Sequence, residues 1–157
     1  MTSLTTNAEK RADEARTLPG FREFSLPGVR DQVAILLSMI GRSENIFSTY
    51  SKHDISHIEA MLHMLDWLVP PETQNAMTPV DWLLITLGIY FHDLGLLVTS
   101  DEFAGRGADP SFRRFMDELT SDPNSRDYLA RADKMGMEEK AHFFFQEYVR
   151  ANHATRI

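Results

Sequence analysis

Three stretches of the sequence bring imidazole and carboxylate groups together: His53-Asp54 with His57, the pair His92-Asp93, and His142 with His153 near the C-terminus. The chain has no cysteine, so a transition metal would have to be held by His, Asp and Glu alone. Such donors suit Mn, Fe, Zn, Ni or Mg, and an ion with an open coordination position makes bound water ionisable near neutral pH. The chemistry on offer is hydrolysis by a metal-bound hydroxide. The His-Asp dipeptide itself carries little weight. Six His and twelve Asp in 157 residues give about half such a pair by random placement, and two occur.

The weight lies in the elements that must hold these groups. Thr78-Pro79-Val80-Asp81 is a helix start, with Thr as N-cap and Pro at the first helical position. The next residues, Val80 to Phe91, are apolar almost all round, which predicts a helix in the middle of a bundle. His92 and Asp93 end that helix just before Gly95. A pair desolvated there costs several kcal/mol unless it is hydrogen-bonded or binds a cation. On the residues alone two readings stay open. One is a cation site; the other is a structural pair in which Asp93 accepts a bond from a neighbouring donor and His92 caps the helix.

Ser56-His57-Ile58-Glu59 reads as a capping box and predicts a helix beginning at His57. Ile58, Met61, Leu62, Leu65 and Leu68 form its apolar stripe, and Pro70-Pro71 ends it. Another amphipathic helix is predicted from Pro27-Gly28 to Gly41, shorter ones after Asp109-Pro110 and Asp122-Pro123, and a last long one from Met137 with no stop signal before Ile157. There is no strand-like alternation and no internal repeat, so the expected class is all-α. Residues 1–20 read as a polar tail or a weakly packed helix, and residues 21–157 as one helical domain. On the last helix, His142 and His153 share a side but lie about 16 Å apart along the axis, too far to share an ion. His63 lies roughly 240° around from His57. Both His63 and His142 read as structural.

With 43% apolar and 25% charged residues the chain has the composition of a folded globular protein. A net charge of −7 argues against nucleic acid or an anionic membrane as a broad partner. The apolar run from Val80 to Phe91 is shorter than the about 20 residues of a membrane span, and no signal-peptide core is visible, so the expectation is a cytoplasmic protein.

Three segments in this order, Tyr50-Ser51-Lys52-His53-Asp54-Ile55-Ser56-His57-Ile58-Glu59, Phe91-His92-Asp93-Leu94-Gly95 and Tyr148-Val149-Arg150-Ala151-Asn152-His153, resemble the signature of HD-domain metal-dependent phosphohydrolases. The resemblance implies an HD-like helical bundle holding one or two divalent ions. It makes His57 and His92 ligands, Asp93 a ligand able to bridge two metals, and His153 an imidazole for a second ion. It places His53 and Asp54 beside the first ligand, orienting it, and gives Lys52, Arg150 and Arg156 the phosphate oxygens. The implied reaction is hydrolysis of a phosphomonoester or phosphodiester, such as a nucleotide. The alternative is a regulatory or nucleotide-binding module that keeps the scaffold without turnover. The family also expects a final aspartate on a later helix. Asp101, Asp109, Asp117, Asp122, Asp127 and Asp133 all precede the last helix. Either the site is incomplete or the chain is part of a longer protein, a bundle truncated at its C-terminus with a possible partner domain beyond; the last helix without a stop signal favours the second. The terminal Arg-x-x-His is similar to HD domains of multidomain bacterial proteins, some joined to an Hsp90-like ATPase module.

Overall fold

Local start signals set most of the element boundaries in the computed structural model, which describes residues 3–40 and 54–156. Thr78 caps α5 (Pro79–Phe91) by accepting from the Asp81 N–H, and the Asp81 carboxylate returns the bond to the Thr78 backbone. Asp109 caps α7 (Pro110–Ser121), with Pro110 in its first turn. Asp122-Pro123 opens a 3-10 turn that leads into α8 (Arg126–Ala132). The other helices are α1 (Asn7–Asp13), α2 (Leu26–Ile40), α3 (Ile55–Leu68), α4 (Pro71–Ala76), α6 (Ser100–Gly105) and α9 (Met137–Asn152). The described residues contain no strand, and the class is all-α as expected.

One core joins these helices. It is built from Leu26, Val33, Leu37 and Ile40 of α2, Ile58 and Leu62 of α3, Trp82, Leu83 and Tyr90 of α5, and Phe145, Tyr148 and Val149 of α9. Burying each large apolar side chain contributes about 1.5–3 kcal/mol. Phe112 sits edge-on to Phe145 and Tyr148 at 5.3 Å, so α7 closes over α9 through aromatic contacts. No single helix among the described residues is long and apolar enough to cross a membrane.

Four expectations need correction. The N-terminal residues do not form a polar tail: Ala8, Ala12 and Ala15 are fully buried, and α1 lies along α5. Alanines at this spacing make a narrow stripe with no bulk to hold two helices apart, a signal that charged neighbours mask in the sequence. Second, α3 begins at Ile55, because Asp54 and not Ser56 is its N-cap, accepting from the Ser56 N–H at 3.0 Å. Glu59 is thereby released from a capping role. Third, α5 is not enclosed on every side, since Leu84 is 64% exposed. Fourth, α9 stops before the chain does. Asn152 Nδ2 donates to the Tyr148 carbonyl, and residues His153–Thr155 tighten into a 3-10 turn.

Candidate metal centre

Two helix ends meet at the centre. α3 presents His57 from its first turn, where the His57 N–H donates to the Asp54 carbonyl at 3.0 Å. α5 ends at Phe91, so His92 occupies its C-cap and Asp93 lies in the turn that starts Leu94–Leu96. His92 Nδ1 lies 2.6 Å from the Ile89 carbonyl oxygen. A carbonyl only accepts, so Nδ1 carries the proton and Nε2 is left for other partners.

His92 Nε2 is 3.1 Å from Asp93 Oδ2, and His57 Nε2 is 3.6 Å from the same oxygen. The two rings stand 5.5 Å apart between centroids, tilted by 45°. All three donor atoms fall within 4.8 Å of one another. Ligands sharing one ion at about 2.1 Å lie roughly 3.4 Å from each other in tetrahedral geometry. The two His–Asp93 separations lie within a few tenths of an ångström of that value, and the donor set fits a divalent cation. The carboxylate is the buried member: the Asp93 side chain is 7% exposed, against 40% for His57. The cluster thus has a shielded side and a side open to solvent. The C-terminal end of α5 adds partial negative charge, which also favours a cation.

The hydrogen bond to Asp93 raises the His92 pKa above its ordinary value; burial opposes this, and the Ile89 carbonyl and the Asp93 charge reinforce it. A ring already holding one proton on Nδ1 satisfies Asp93 in one of two ways, with a second proton on Nε2 or with a cation between them.

The turn behind Asp93 is clamped by the C-terminal segment. A Cβ on Gly95 would stand 1.9 Å from the His153 carbonyl oxygen, so only glycine admits that approach. Arg156 donates to the carbonyls of Gly95 at 2.8 Å and Leu97 at 3.1 Å, and pairs with Glu102 at 2.7 Å. Its guanidinium is occupied by structural bonds, where the sequence pointed to phosphate.

The remaining expected site residues divide between supporting roles and other surfaces. Asp54 uses its carboxylate as the α3 cap, setting the turn that carries His57. Lys52 and His53 lie outside the described residues. His153 approaches the site with its backbone, but neither of its ring nitrogens joins the three donors within 4.8 Å. Its Nδ1 sits 2.7 Å from the Arg150 carbonyl, and its side chain lines a separate cavity of about 660 Å³ with Arg150, Tyr128 and Phe115. Arg150 pairs there with Glu147 at 2.6 Å. His142 stacks on Phe103 at 4.3 Å, and His63 is exposed with Asp66 at 4.0 Å; neither is among the three clustered donors.

Sequence reasoning missed an ionic cluster of buried Glu9, Arg30 and Tyr90 with half-buried Glu59, joining the helices that carry the site. One signal was available. Arg30 falls on the stripe of Leu26, Val33, Leu37 and Ile40, where an apolar residue is the rule.

Residues 47–157, more than half of the chain, match the model of the family described as HD-CE. Neither the curated proteins nor the solved structures give a match.

Proposed function

Because the chain belongs to the HD-CE family, we propose that it is a metal-dependent phosphohydrolase acting on a small phosphomonoester or phosphodiester, such as a nucleotide. The observation that carries this reading is the convergence of two imidazole nitrogens and one carboxylate oxygen where the ends of α3 and α5 meet. His57, His92 and Asp93 would hold a divalent ion. When bound, such an ion supplies Lewis acidity toward a phosphoryl oxygen and a water ionisable near neutral pH.

The residues of the chain supply the rest. The Ile89 carbonyl keeps the proton on His92 Nδ1, so that Nε2 stays a donor toward the ion. Asp93, the buried member, neutralises charge where water is scarce. The exposed edge of His57 leaves room for a substrate phosphate to enter. In sequence Lys52 stands five residues before His57, and it is the cation this reading assigns to the phosphoryl oxygens. Arg150, engaged with Glu147 in its own cavity, is given no part in the step.

The test is hydrolysis of a chromogenic phosphodiester by the protein loaded with Mn²⁺, compared with His92→Ala and Asp93→Ala. Loss of at least about a hundredfold in kcat/KM is expected from each substitution. Equal hydrolysis by all three proteins overturns the reading. A module that keeps the scaffold without turnover is the second reading, favoured because Asp93 is the one carboxylate in the cluster among the described residues. Stoichiometric metal with no hydrolysis in the wild type would decide for it.

A further inference from the structure

Glu9 and Arg30 form an ion pair removed from solvent, with side chains 0% and 4% exposed. Arg30 Nε donates to Glu9 Oε1 at 3.0 Å, and Arg30 Nη2 donates to Glu59 Oε1. Tyr90 Oη donates to Glu9 Oε1 at 2.7 Å. The backbone N–H groups of Thr5 and Thr6 each donate to Glu9 Oε2 at 2.9 Å, and Thr5 Oγ1 reaches Glu59 Oε1 at 3.2 Å. Taking two charges out of water costs several kcal/mol per ion before the pairing offsets it, and an apolar pair of the same volume would often be as stable. A cluster so fully bonded specifies one arrangement of the elements it joins.

The elements it joins are those that carry the metal donors. Glu59 lies two residues after His57 on α3, and Tyr90 precedes His92 by two residues on α5. The groups that bridge them, Glu9 and Arg30, come from α1 and α2, before the first matched residue of the family model at 47.

We propose that residues 5–30 are a positioning brace for the metal centre: Glu9 and Arg30, bonded to Tyr90 of α5 and Glu59 of α3, set α3 against α5 and thereby hold His57 Nε2 in reach of Asp93 and His92. None of these four residues is among the three clustered donors. The proposal rests on the metal-centre reading, but its geometric part is measurable without metal.

The experiment uses the full chain with Tyr90→Phe, which deletes one hydroxyl, and Glu59→Gln, which keeps a side-chain acceptor. Val33→Ala on α2 is the control, a buried site outside the cluster. Mn²⁺ affinity is measured by calorimetry well below each unfolding temperature. The ring cross-peak between His57 and His92, which stand 5.5 Å apart, is monitored by NMR in the metal-free protein. Tyr90→Phe and Glu59→Gln should weaken Mn²⁺ binding by about tenfold or more and diminish the cross-peak, as loss of a ligand-orienting partner does elsewhere. Val33→Ala, even with a greater loss of thermal stability, should leave both within about twofold of wild type, as expected of a change confined to packing. Wild-type affinity and an intact cross-peak in both cluster variants overturn the brace, as does an equal loss in Val33→Ala. If the wild type binds no Mn²⁺, the metal-centre reading falls, and the brace stands or falls on the cross-peak alone.

Discussion

At the scale of the residue, His92 is the group whose protonation decides the state of the centre. Its Nδ1 proton is committed to the Ile89 carbonyl, so the only variable position is Nε2, which faces Asp93 at 3.1 Å. The Asp93 bond, working against burial, holds the ring protonated to higher pH than an ordinary histidine. In the metal-free protein the imidazolium–Asp93 pair therefore contributes stability below the unfolded value of about 6.5, and that contribution is lost as pH rises through the raised folded value. A metal needs the Nε2 lone pair, so it competes with that proton. Mn²⁺ affinity should climb by up to about tenfold per pH unit between roughly pH 6 and the raised pKa, level off above it, and be accompanied by proton release. Calorimetry in buffers of different ionisation enthalpy measures both. A pH-independent affinity without proton release would show that no proton on His92 is displaced by metal.

At the scale of the element, the turn after α5 is as constrained as the helix before it. Thr78 and Asp81 lock the start of α5, while Gly95 and Arg156 lock the turn beyond its C-terminal end. A methyl group at residue 95 meets backbone, the His153 carbonyl, which has no rotamer to yield. Gly95→Ala should therefore cost about 1–3 kcal/mol through overpacking and push the 153–156 turn away. The Arg156 bonds to Gly95 and Leu97 would be lost with it. Thermal unfolding reads the first effect, and faster amide exchange from Gly95 to Leu97 the second. If neither changes, the close approach does not hold the turn. The same clamp explains the placement of His153. Its carbonyl lies against Gly95 and accepts from the Arg156 N–H, while its ring Nδ1 meets the Arg150 carbonyl.

At the scale of the whole molecule, the segment before the family match is part of the core that supports the site. Burial raises the Glu9 carboxyl pKa, but bonds from Thr6, Tyr90 and Thr5 outweigh it and hold the group below the usual glutamate range. Its contribution to stability is present above the unfolded value of about 4.3 and is lost as pH falls through that value and below. The unfolding temperature should fall as pH is lowered from about 5 to about 3. Glu9→Gln should make that decline shallower and lower the unfolding temperature at pH 7, since opening a buried ion cluster costs on the order of 3–5 kcal/mol. An acid profile identical in wild type and Glu9→Gln would remove Glu9 from this account.

The helical class, the start of α5 at Thr78-Pro79, and the identity of His57, His92 and Asp93 as candidate donors were legible in the order of residues. Caps, helix breakers and ligand chemistry act within a few residues of chain and can be read there. The α3 cap was misplaced by two residues, because both Asp54 and Ser56 satisfy the local rule, and in the fold Glu59 bonds Arg30 instead of the helix start. Residues 1–20 read as a tail because three alanines become a core face only against a partner such as α5. Tertiary packing alone brought His57 into one space with His92 and Asp93, and directed the His153 ring and the Arg156 guanidinium elsewhere. Those distances are set by side chains that pack between elements far apart in the chain, and no local spacing encodes them.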